Sequence, residues 1–193
     1  MSTNTTTLVR SLHDLGLASW FGGTLMGAIG LNGGAAAARD PQERTRISSA
    51  GWGKWSPVLI ASMAAHAVGS VGMLLSDKQR LLVQPEGRRS AAIKTAITLA
   101  AAGASAFSGA LGKVQAEHQD EGGAGPTEPF GTTSTEMSTA QRQQKWVQWV
   151  SPALTAVLIV LAAQQGEQQR RTSPAVAVPL LERVSGLLPS RRR

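Results

Sequence analysis

Cysteine is absent from this 193-residue chain, and so is tyrosine. Without cysteine there is no disulfide framework, no thiolate metal site and no thiol nucleophile. Histidine occurs three times and phenylalanine three times. Asp and Glu together number 12, and none lies inside an apolar segment; Asp14 sits at the edge of one. Paired buried carboxylates, the usual equipment of general acid–base chemistry and of proton-coupled transport, are therefore missing. A nucleophile–His–acid set and a phosphate-binding glycine loop are missing too. The expectation is no enzyme, no cofactor and no metal centre.

What the chain has is glycine (21 residues), five tryptophans, abundant alanine and a net charge of +7. Its basic residues stand beside apolar segments and form no aromatic-interleaved stripe, so the charge does not point to nucleic acid. The mean hydropathy of −0.06 is low for a membrane protein. Polar loops and tails dilute the apolar segments, which use Ala, Gly, Ser and Thr in place of Leu and Ile. A soluble Ala-rich helical bundle is the competing class, because short apolar runs also suit buried core helices.

Four of the five tryptophans form a repeated pattern. Trp52-Gly53-Lys54-Trp55-Ser56-Pro57 precedes one apolar stretch, and Trp146-Val147-Gln148-Trp149-Val150-Ser151-Pro152 precedes another. An i, i+3 spacing puts both indoles of a pair on one helical face. Indoles favour the boundary between hydrocarbon and water, and proline suits the first turn of a helix. Trp52, Trp55, Trp146 and Trp149 therefore read as interface anchors of two helices that enter a bilayer from one side.

Four segments are candidate spans, at about 15–36, 57–75, 91–112 and 147–163. A helix rises about 1.5 Å per residue, so about 20 residues cross a bilayer core. The predicted fold is all-α: a four-helix transmembrane bundle occupying 1–168, made of two tandem helical hairpins. A mobile outer loop is expected at 113–145, where Gly122-Gly123-Ala124-Gly125-Pro126 has linker composition. A basic tail follows at 169–193. Ser19-Trp20-Phe21-Gly22-Gly23-Thr24-Leu25 matches Ser105-Ala106-Phe107-Ser108-Gly109-Ala110-Leu111 at Ser, Phe, Gly and Leu, which extends the repeat.

Basic residues orient such a bundle. Of the 19 Lys and Arg, 12 fall on the N-terminus (Arg10), the middle loop (Lys78, Arg80, Arg88, Arg89 and Lys94) and the tail (Arg170, Arg171, Arg183, Arg191, Arg192 and Arg193). The other 7 fall on the opposite side. The positive-inside rule places both termini in the cytoplasm of a cell-membrane protein. In the tail, Leu180, Leu181, Val184, Leu187 and Leu188 share one helical face between Pro179 and Pro189, and Arg191-Arg192-Arg193 follows. That pattern predicts a short interfacial helix on anionic lipid.

Small residues four apart allow close helix approach in lipid. Gly23 and Gly27, Gly30 and Gly34, and Ser105 and Gly109 have this spacing. They serve packing within the chain or a face for a homodimer or another membrane protein. His66 lies mid-span. An intramembrane imidazole is a functional candidate by default, and its structural alternative is a hydrogen bond to Ser62, Ser70 or Thr98. His13 lies at the start of the first span, about 16 Å from the depth of His66 on an ideal helix, too far to share one metal. His66 and His13 are thus weak candidates for cofactor binding, in a transporter or redox subunit.

His13-Asp14-Leu15-Gly16-Leu17-Ala18-Ser19-Trp20-Phe21-Gly22-Gly23 resembles the first helix of copper-resistance D-type membrane proteins. In haem-linked relatives that histidine is implicated in cofactor binding. This chain lacks the second histidine at matching depth. The chain as a whole, including Leu25-Met26-Gly27-Ala28-Ile29-Gly30-Leu31-Asn32 and Gln164-Gln165-Gly166-Glu167-Gln168-Gln169-Arg170, resembles small actinobacterial four-helix membrane proteins. That resemblance implies location and lineage but no activity.

Overall fold

The computed structural model describes residues 3–78 and 83–172. The interfacial helix expected at 180–188 lies outside the described residues. The chain divides into two units, Met1–Ile159 and Val160–Arg193. In the second, the described part is the C-terminal portion of the last helix.

The described residues are helical and contain no strand, only one isolated bridge between Gly125 and Glu128. Helix α1 spans Thr3–Met26 and runs through a π-helical turn at Gly27–Leu31 into α2, Asn32–Ala36. No proline occurs before Pro41 to break this run. A four-residue turn leads to α3, Pro41–Ser76. Its start follows capping rules: Asp40 accepts from the backbone N–H of Gln42 at 2.9 Å, Pro41 opens the first turn and Glu43 lies within it. Helix α4 spans Pro85–Glu117, again opened by a proline. After a 3₁₀ turn at Gln119–Glu121 come α5, Thr135–Val147, and α6, Val150–Thr172.

Three stretches are long and apolar enough to cross a membrane: Pro41–Ser76, Pro85–Glu117 and Thr135–Gln164. Helix α1 is not among them, because Gly, Ser, Thr and Trp dilute its apolar residues. The most apolar windows of the three are only 17%, 17% and 28% buried. Ile60, Val68 and Leu99 face outward, while Thr24, Asn32, Ser62, His66, Ser105 and Thr155 are buried. A soluble bundle has the reverse arrangement, with its apolar stripe inside. This chain is a helical bundle suited to lipid.

The first hairpin packs backbone against backbone. A Cβ on Gly16 would lie 2.5 Å from the backbone nitrogen of His66, and one on Gly69 would strike the backbone of His13. Gly23 receives the indole of Trp55 and Gly27 that of Trp52. The second hairpin differs. A Cβ on Gly103, Gly109 or Gly112 would meet no described atom within 4 Å. The two hairpins repeat their tryptophan pattern without repeating its packing.

Two expectations need correction. Pro57 does not open a helix; it lies inside α3, whose first turn is at Pro41. The helix continues through it with Ser56 donating to the carbonyl of Trp52 at 2.8 Å. Pro152, by contrast, does sit in the first turn of α6. Residues 113–145, a loop by composition, hold the end of α4, the 3₁₀ turn and most of α5. Gly122, Gly123, Gly125 and Pro126 are buried. Gly122 has φ +76° against Pro41, a conformation and a proximity that suit glycine.

Candidate functional site

Three polar clusters occupy the interior of the first unit. The first surrounds the histidines. His66 is 2% exposed, and its ring centroid lies 4.5 Å from that of His13 and 6.1 Å from that of Trp20. The 16 Å depth separation expected from span midpoints is therefore wrong. The apolar boundaries misplace the midpoints, because α3 begins 16 residues before the predicted second span at 57. In an antiparallel hairpin turning at 37–40, residues at similar distances from the turn face each other, with the offset growing away from it: 27 with 52, 16 with 66, 13 with 69. His66 Nδ1 is 3.2 Å from the carbonyl of His13, and its Nε2 is 3.5 Å from Thr98 Oγ1. Ser62 instead bonds to Ser19 and to the carbonyl of Val58. His13 pairs with Asp14 at 2.7 Å. Among the described residues no three His, Asp or Glu side chains converge as metal ligands.

The second cluster centres on Trp20, the tryptophan outside the repeated pairs, which is 1% exposed. Its indole N–H donates to Ser105 Oγ at 3.0 Å. Ser105 is 2.9 Å from Ser151 Oγ, and Ser151 donates to the carbonyl of Ala101. One short chain of hydrogen bonds thus ties α1, α4 and the first turn of α6. Ser105, a packing residue by spacing, acts here through its hydroxyl.

The third cluster centres on Asn32, just after the π turn. Its Oδ1 accepts from Ser48 Oγ at 2.9 Å and from the indole of Trp52 at 3.0 Å. Its Nδ2 donates to Gln148 Oε1 at 2.9 Å. Beside it lies a cavity of about 250 Å³. Its wall includes Thr24, Asn32, Ser48 and Trp52, then Ser108, Gly109 and Gly112 of α4, and Gln144, Gln148 and Ser151. Gln144 is 8% exposed; its Nε2 bonds to Ser108 Oγ at 2.6 Å, and its Oε1 has no partner among the described residues.

The anchor tryptophans split into two kinds. Trp146 and Trp149 are exposed, as residues facing an interface would be. Trp55 packs on Gly23 of α1 and Trp52 on Gly27 of the π-helical turn, and the Trp55 N–H is buried without an acceptor among the described residues. The packing glycines split likewise. Gly23 and Gly27 are filled by indoles, whereas Gly30, Gly34 and Gly109 meet no neighbouring helix within 4 Å. Asn32, Trp20, Gln144 and Ser151 were not singled out by spacing. A lone Asn in an apolar helix and a lone mid-helix Trp were the available signals.

At the end carrying the 37–40 and 118–134 connections, hereafter distal, the chain forms a folded cap. Arg44 donates to the carbonyls of Ala38, Arg39, Gly123 and Ala124. His118 contacts Glu121 at 2.6 Å and Glu136 at 3.2 Å, and Glu121 accepts from the backbone N–H of Ser134. The Glu121 hydrogen bond holds the His118 pKa above its ordinary value. The Ser134 N–H holds Glu121 below its own. Comparison with protein-family models, curated proteins and solved structures finds no match for this chain.

Proposed function

We propose that this protein is a non-enzymatic, multi-pass integral membrane protein that acts as a packing or scaffolding partner for another transmembrane helix. The observation that carries the reading is a bare helix surface on the π-helical turn and α2. Gly30, Gly33 and Gly34 are exposed beside Ile29, and a Cβ on Gly33 or Gly34 would meet no described atom within 4 Å. Such a surface lets another backbone approach closely in lipid, where packing drives association. The outward apolar residues of α3 and α4 support the bilayer location.

The proposed orientation has both termini in the cytoplasm of the cell membrane and the distal cap outside, with the basic tail on anionic lipid. The 12 to 7 basic bias supports it. Reporter fusions after Arg193 and within Gly122–Gly125 should report opposite sides; the same side for both would refute four spans. For the partner face, the mass of the detergent-purified protein should exceed that of one chain. Gly34→Leu, which enters open space, should release the partner without unfolding the bundle. A monomer that retains no protein would refute the reading.

A second reading is a haem-binding or metal-binding subunit, or a small transporter, centred on His66. The 4.5 Å approach of the His13 and His66 rings favours it. A visible absorption band in the purified protein that disappears in His66→Gln would select this reading.

A further inference from the structure

We propose that the distal cavity is a binding site for a small uncharged polyhydroxylated molecule, a polyol or a monosaccharide. The wall determines the class. The hydroxyls of Thr24, Ser48 and Ser151 already donate to Trp20, Asn32 and Ala101 and so present acceptor oxygens, Ser108 accepts from Gln144 and keeps its own proton, and the carboxamides of Gln144 and Gln148 carry both donors and acceptors. Among the described residues no carboxylate lines the cavity, so a cation or metal finds no counter-charge there. The one cationic side chain on the wall is Lys113, which is 80% exposed and lies 4.0 Å from Glu117. An anion would therefore meet a solvated ammonium that already has a carboxylate beside it.

The indole of Trp52 supplies an apolar wall, and its N–H is already used by Asn32. Sugars and cyclic polyols combine C–H faces with rings of hydroxyls, which suits an indole set among serines and amides. The volume fits the same class. About 250 Å³ corresponds to roughly eight waters at about 30 Å³ each, below the range of drug-sized sites.

Gln144 adds an independent indication. Ser108 engages one end of its carboxamide, and the other end has no partner although the residue is more than nine-tenths buried. Exchanging the amide O and N leaves the same vacancy, because the Ser108 hydroxyl can face either atom. Buried polar atoms are nearly always paired. A hydroxylated ligand supplies the missing partner after a small rotation of the amide.

The test uses the full chain in lipid nanodiscs, with thermal unfolding as the readout. The probes are myo-inositol and glucose, with choline and inorganic phosphate as charged controls, all at or below about 10 mM. That ceiling keeps general stabilisation by excluded osmolytes small. A saturable rise in melting temperature with a neutral probe, and none with the charged ones, is expected. Two variants check the location. Gln144→Leu removes the unpaired amide. Gly112→Leu enters open space on the cavity wall and improves helix propensity, so it should fold. Both should weaken the effect at least tenfold. No shift with either neutral probe, equal shifts in both variants, or a larger shift with choline or phosphate would overturn the proposal.

Discussion

Single atoms decide how closely α1 and α3 approach. Gly16→Ala would set a methyl against the backbone of Ser62 and His66, where no side chain can rotate away. We expect it to destabilise the bundle by about 1–3 kcal/mol through forced separation of the helices. Gly103→Ala on the exposed face of α4 meets nothing within 4 Å and should be neutral or stabilising by up to about 1 kcal/mol. Thermal unfolding of both variants in one detergent checks the contrast; equal effects would refute the close packing. His66→Gln tests the imidazole. Glutamine can still donate and accept toward the His13 carbonyl and Thr98, so folding and partner retention should survive, with a stability loss of less than about 2 kcal/mol. Collapse of the bundle, or specific loss of a bound chromophore, would assign His66 a larger role.

At the scale of elements, the sequence disclosed the apolar cores and misplaced their ends. Segments 57–75 and 91–112 lie inside α3 and α4, but hydropathy stops where Trp52, Lys54 and Arg46 begin, whereas the helix continues to the cap at Asp40. Asp40-Pro41-Gln42-Glu43 is a helix-start signal that apolar runs and the Ser56-Pro57 pair do not point to. The approach of His13 to His66 was legible in principle, since a short turn after Ala36 fixes which residues face each other. Helix α5 was not. Its buried face is Met137, Ala140, Gln141 and Gln144, at helical spacing but half polar, so apolar periodicity is faint. The distal cap carries a pH prediction. His118 has a raised pKa, so its contribution is complete below its ordinary 6.5 and fades as pH rises through the higher folded value. Glu121 has a lowered pKa, so its contribution is complete above its ordinary 4.5 and fades as pH falls through the lower folded value. The cap should be held most firmly between about pH 4.5 and 6.5. Amide hydrogen exchange at 118–134, corrected for the intrinsic rate, should accelerate above that window, and His118→Gln should remove the alkaline limb. A flat profile in the native protein would contradict these contacts.

At the scale of the whole molecule, the central feature is an inversion of polarity among the described residues: serine, asparagine, glutamine and histidine share the interior with Leu17, Leu111 and Leu158, while no valine or isoleucine is buried and most face outward. Composition hinted at it through spans built from Ala, Gly, Ser and Thr. The cavity could not be read from the chain, because its wall draws on every helix and on Thr127 of the distal connection. The absence of native cysteine makes the most direct test clean. Single cysteines at Ile60, Val68 and Leu99, which are 67%, 60% and 67% exposed, can be spin-labelled in protein reconstituted into liposomes. Relaxation of each label by dissolved oxygen and by a water-soluble nickel chelate then reports its surroundings. The account predicts strong relaxation by oxygen and almost none by the chelate at all three positions. Stronger relaxation by the chelate than by oxygen would place these residues in water and contradict it.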